Sequence, residues 1–202
     1  MANHVYFTIT PQMNEEATKA LSDAMLTETH ERKLWHSEEM QKVEELVDLD
    51  HLPFLQLGQE YDEDGHLKDS WNWYVDNIGA KWCHIEEWED GYISGYSAWS
   101  APVAFCEHLL RYLISFDKDA SIQMTYEDEF RNFFGVMDFF NDGEGDVDSD
   151  YSEIEGDELA DAVNSKFKLE SGAEWEDEHV EYADELVYGF FDSNGRWNYD
   201  YD

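Results

Sequence analysis

Lysine and arginine are scarce in this chain. Twelve of them stand against 49 Asp and Glu in 202 residues, a formal charge of −37. Nucleic acid and anionic membranes are held by Lys/Arg patches that neutralise phosphates, and the sequence offers none. Direct binding to either is therefore not expected. Cysteine is nearly absent too: Cys83 and Cys106 stand alone, with no Cys-x-x-Cys pair. That argues against a disulfide framework and for a reducing compartment. The opening MANHVYFTIT lacks the basic and apolar regions of a secretory leader. No apolar run approaches the ~20 residues of a membrane-spanning helix. Together these absences predict a cytoplasmic protein.

Catalytic signatures are missing as well. There is no Gly-x-Ser-x-Gly elbow, no P-loop and no dinucleotide fingerprint. With 49 carboxylates some pair is always close, so proximity of two acids carries no information about acid–base chemistry. Cys83 and His84 are neighbours on an expected strand and point to opposite faces. Cys106 and His108 lie two apart on an expected helix, ~200° around its axis. Neither pair has zinc-ligand spacing. Asp146, Asp148 and Asp150 fit positions 1, 3 and 5 of an EF-hand loop. However, Tyr151 stands where the turn needs Gly, Glu153 where an aliphatic belongs, and Asp157 replaces the bidentate Glu. The expectation is no metal, no cofactor and no enzymatic activity.

Aromatic residues, by contrast, are plentiful: 8 Trp, 12 Tyr and 12 Phe. That is enough to build a core, and it argues against a disordered polyanion. His4–Thr10 reads as a first strand closed by Pro11. A helix begins after Asn14 as N-cap, with Ala17, Leu21 and Met25 on one stripe. A second helix is expected over residues 29–47, on a weaker stripe of Leu34, Met40, Val43 and Leu46/Val47. Two strands follow around the turn Glu89–Gly91. The strongest helix of the chain starts near Pro102, with Val103, Cys106, Leu110, Leu113 and Ile114 apolar. SIQMTYEDE and RNFFGVMDFF read as further strands. The order βαββαβ, with an inserted helix and an added strand, predicts an α+β ferredoxin-like body over residues 1–140. An acidic extension, 141–202, is expected to hold a helix and to end in a β-hairpin around Ser193–Gly195, with Trp197, Tyr199 and Tyr201 alternating.

Three motifs carry a family resemblance: WYVDNIGAKW (73–82), SAWSAP (97–102) and YEDEFRNFFG (126–135). In order and content they resemble the YubB-type family, small proteins of phages and plasmids with a ferredoxin-like domain. Asn77, Gly79, Lys81 and Trp82 match the first family motif, where Ile78 and Ala80 depart from it. Ala98, Trp99, Ser100 and Pro102 match the second, with Ala101 in place of a proline. The resemblance covers residues 1 to about 140. It implies a mobile-element origin, hence residence in the host cytoplasm, and it brings no catalytic residues.

The charge is unevenly spread. From Asp138 to the end there are 22 acids and three bases, against 27 and nine in the preceding 137 residues. Ten of the acids fall between residues 142 and 161: Asp142, Glu144, Asp146, Asp148, Asp150, Glu153, Glu155, Asp157, Glu158 and Asp161. Self-repulsion on this scale works against a compact state, and its electrostatic complement is a basic protein. The expected function is nucleic-acid mimicry: these ten carboxylates would occupy the DNA groove of a host DNA-binding or defence protein, such as a restriction enzyme, and inhibit it. Two alternatives stay open, an adaptor that binds a basic host protein without imitating DNA, and a halophilic coat. A homodimer that lengthens the charged face is left open as well.

Overall fold

The computed structural model describes residues 3–25, 28–33, 40–45, 49–55, 57–63, 67–89 and 91–196. Eight strands and five α-helices alternate along them: β1 (His4–Gln12), α1 (Glu15–Ala24), β2 (Glu28–Lys33), β3 (Met40–Glu45), α2 (Ser70–Ile78), β4 (Cys83–Glu89), β5 (Tyr92–Ala98), α3 (Val103–Ile114), β6 (Ser121–Asp128), β7 (Phe133–Asn141), β8 (Val147–Glu155), α4 (Gly156–Phe167) and α5 (Asp177–Asp192). Six strands form one sheet in the order β4-β5-β1-β6-β7-β8, and every neighbouring pair is antiparallel. The protein is α+β.

Local sequence explains most of these elements. Asn14 caps α1 by accepting the Ala17 amide at 3.0 Å, a contact worth ~1 kcal/mol in helices generally. Ala17, Leu21 and Met25, spaced four apart, are all buried. On α3 the buried residues are Phe105, Cys106, Leu109, Leu110 and Leu113. Val103 and Ile114 are only half-buried, so the apolar face sits about one position away from the expected stripe. A bulge between Ile85 and Glu87 shifts the register of β4, and Trp88 thereby joins Cys83 and Ile85 on the core side.

Strand alternation sorts side chains between two clusters. Val5, Phe7 and Ile9 of β1, with Ile122 and Met124 of β6, pack under α1 and α3 in the main core. Strand β7 serves both clusters. Phe133, Met137 and Phe139 face the main core, whereas Phe134 and Val136 face a second one. That second cluster adds Ile154, Leu159 and Val163 to Ala183, Val187 and Phe190. Helices α4 and α5 therefore cover the opposite face of the sheet, at its β7–β8 end.

Three expectations are corrected. Residues 28–33 and 40–45, read as one helix, form the antiparallel pair β2–β3, a two-stranded sheet of its own. The expected stripe offered too few apolar positions to hold a helix against a sheet, and Thr29 and Val43 are β-branched. The run from Asp142 to Glu155, in an extension for which a helix and a hairpin are expected, is a tight turn followed by β8, which pairs with β7 from Asn141↔Val147 to Phe133↔Glu155. The C-terminal hairpin is replaced by α5. Glu176 and His179 form a reciprocal capping box there, and His179, Ala183, Val187 and Phe190 bury one helical stripe. Trp197, Tyr199 and Tyr201 lie outside the described residues.

Candidate anionic interface

The ten acids of residues 142–161 are divided by the fold into a turn, two faces of a strand and a helix. In the turn, the Asp142 carboxylate accepts the amides of Glu144, Gly145 and Asp146 at 2.7, 3.0 and 3.0 Å. Asp146 receives the Arg111 guanidinium at 3.0 Å. A hydrogen bond from the Val147 amide, with Arg111 beside it, holds its carboxyl below the usual carboxylate range. These two acids build the turn and tie it to α3.

On β8, Asp148 and Asp150 stand opposite Phe140 and Asp138 and share their face of the sheet. Glu153 points to the other face and accepts the Tyr126 hydroxyl at 2.7 Å. Burial, with Glu153 nearby, pushes that phenol well above its ordinary value. The cradle depends on Gly135, where an added Cβ would sit 2.4 Å from the Tyr126 hydroxyl oxygen. Glu155 and Glu158 form the capping box of α4. Glu144, Asp150, Asp157 and Asp161 are exposed and make no side-chain hydrogen bond or ion pair among the described residues.

One acidic row was not foreseen. On α5, Glu178, Glu181, Glu185, Tyr188 and Asp192 are exposed, and their spacing of three and four places them in one narrow stripe opposite the buried one. The four carboxylates span ~21 Å of helix. One strand of a duplex places about six phosphates over that length. The row thus approaches the linear charge density of a single phosphate backbone. The hairpin expected around Ser193–Gly195 concealed it; the i, i+3/i+4 recurrence of Glu178, Glu181 and Glu185 is the available sign.

Elsewhere the geometry favours structure over chemistry. Burial pushes the Cys83 thiol up to about 12 and raises Cys106 as well, so neither is a thiolate nucleophile at neutral pH. Asp148 and Asp150 lie on an extended strand, not around a coordination sphere. Among the described residues no three His, Cys, Asp or Glu side chains gather as a metal site. No helix among them is long and apolar enough to cross a membrane.

The first two motifs meet at one joint. Gly79, left-handed at φ +88°, ends α2. An added Cβ there would lie 3.0 Å from the Ala104 amide nitrogen at the start of α3. Ser100 donates its hydroxyl to the Gly79 carbonyl at 2.7 Å, and Ser97 donates to that of Ser100 at 2.6 Å. The Lys81 ammonium lies 4.1 Å from the Trp71 ring centre and 4.7 Å from that of Trp99. These residues lock α2, β5 and α3 together. Comparison of the chain with protein-family models, with curated proteins and with solved structures finds no match.

Proposed function

We propose that this protein acts as a nucleic-acid mimic, inhibiting a DNA-binding host protein by occupying its groove. The observation that carries the reading is the exposed α5 row together with Asp157 and Asp161 of α4. Residues 156–196 hold twelve carboxylates and only three bases. Asp142, Asp146, Glu155 and Glu158, engaged in the turn and the cap, serve the scaffold; the exposed acids without such bonds meet the partner. A halophilic coat would call for acids everywhere, whereas the strands of the sheet also expose rings. The reading includes a YubB-type, mobile-element origin, a cytoplasmic location and a ferredoxin-like body. In support of that body, β4, β5, β1 and β6 stand side by side, α1 follows β1, and α3 links β5 to β6.

The test has two stages. Immobilised protein captures partners from host lysate at low salt, and a captured DNA-binding protein is then titrated with duplex DNA and with this chain. Mutual displacement is expected, with binding that weakens steeply as salt rises. The combined variant E178Q/E181Q/E185Q/D192N should flatten that salt dependence. Single changes should matter little, because exposed ion pairs contribute ~0.2–1 kcal/mol each. Simultaneous binding of DNA and this chain, without mutual weakening, would replace mimicry by the adaptor reading.

A further inference from the structure

Among the described residues, the second face of the sheet is covered only where α4 and α5 lie. Across β4, β5 and β1 no described element packs on it as a layer, and it carries a connected set of rings. His4 lies 5.1 Å from Tyr96 and 5.4 Å from Trp82, centre to centre. Tyr96 lies 5.3 Å from His84 and 6.3 Å from Tyr6. Tyr6 is 50% exposed, and His84 is exposed. A soluble sheet face of this kind needs only Thr, Ser, Gln and charged residues, and Thr8, Thr10 and Gln123 provide them nearby. Five clustered rings exceed that need.

Strands β1, β4, β5 and β6 contain no Lys or Arg. Glu127 stands opposite Tyr6, and Glu87 opposite Ser94, so carboxylates share the ring-bearing face. Where the open face meets α5 there is a groove of about 500 Å³, floored by Tyr6 and Glu127 and walled by Val180 and Asp184. A smaller cavity of about 150 Å³ continues it past Thr8 to Phe191. The groove already holds one guanidinium. Arg131, with φ +55°, reaches Glu127 at 2.7 Å and Asp184 at 2.6 Å.

We infer that this open face is a docking surface for an arginine-bearing extended polypeptide segment. Guanidinium groups stack on aromatic faces and pair with carboxylates. The surface offers both, and Arg131 displays the pairing within the chain itself. Single-stranded nucleic acid also stacks on rings, but it needs bases beside them to neutralise phosphate, and these strands have none. A second copy of this chain, at −37, is repelled. The inference stands on the rings and the groove, separately from the acidic row on the exterior of α5.

The test is NMR titration of the isotope-labelled full chain with a synthetic peptide of alternating Gly and Arg, at about 0.3 M salt to suppress diffuse attraction. Shifts are expected at Tyr6, His84 and Tyr96, and the variant Tyr6→Ala/Tyr96→Ala should bind about tenfold more weakly. E178Q/E181Q/E185Q should bind within about twofold of the parent, because Val180 and Asp184, and none of that row, line the groove. Shifts confined to α4 and the outer face of α5 would overturn the inference, and this mapping needs no variant to fold. Equal binding by the ring variant would overturn it, as would tighter binding of an oligothymidylate at the same rings.

Discussion

Strands β1 and β7 belong to one sheet, yet they lie under different cover. Both turn one side toward the main core, β1 with Val5, Phe7 and Ile9 and β7 with Phe133, Met137 and Phe139. Their other sides diverge. On β7 those positions are Phe134 and Val136, buried beneath α4 and α5; on β1 they are Tyr6, Thr8 and Thr10, which join neither core cluster, Tyr6 and Thr10 exposed and Thr8 half-buried near Phe191. The alternation that makes a strand is the same in both. What differs is whether a helical layer waits on the far side, and the outward residues are chosen accordingly. The acidic extension is thus more than a tail: it supplies an edge strand and a second, local core to one end of the sheet.

The largest expected effect comes from removing that local core. Phe134→Ala should cost ~3–5 kcal/mol, because the ring is fully buried and packs edge-on against Phe190 at 5.2 Å. Hydrogen exchange should accelerate in α4 and α5 while α1 and α3 keep their protection. Uniform acceleration would mean that the two ends of the sheet stand or fall together. Next comes Gly135→Ala, which forces Tyr126 off its place over β7 and should cost ~1–3 kcal/mol in denaturant unfolding. An unchanged midpoint would show that Tyr126 swings away freely.

The smallest effect concerns pH in the main body. Burial, then the neighbouring Arg111, lowers the His108 pKa below its ordinary value. The unfolded chain therefore binds more protons than the folded one, between the lowered value and about 6.5. Stability should rise with pH across that window. His108→Gln should flatten the slope in paired denaturation curves, and an identical slope would assign the dependence to other groups.

The comparison also explains which features were legible in the sequence. Elements with a full apolar period, β1, α1, α3, β6 and β7, stand where the residues placed them. Strand β8 is obscured because the two aliphatic residues of VDSDYSEIE, Val147 and Ile154, fall on opposite faces and mark no single inner side; its pairing comes from the free edge of β7 and the Asp142 turn. Helix α5 was misread for the opposite reason. Its stripe of His179, Ala183, Val187 and Phe190 is regular, but the β-formers in LVYGFF outweighed it, although tertiary packing overrides such preferences. Of the candidate acids, composition found the charge, while their division into those that hold backbone amides and those that hold none depends on a fold that composition does not display.

The two rims of the sheet have a consequence for how copies of this chain treat one another. An unpaired strand edge is a template on which a second molecule can continue the sheet, and repeated addition gives fibres. Here one rim is β4, kinked by its bulge and bearing Glu86, Glu87 and Glu89; the other is β8, bearing Asp148, Asp150, Glu153 and Glu155. Any rim-to-rim joining would set carboxylate against carboxylate along the new seam. Acids on both outer strands thus work against continuation of the sheet by a second copy, and the chain can reach high concentration without polymerising along these strands.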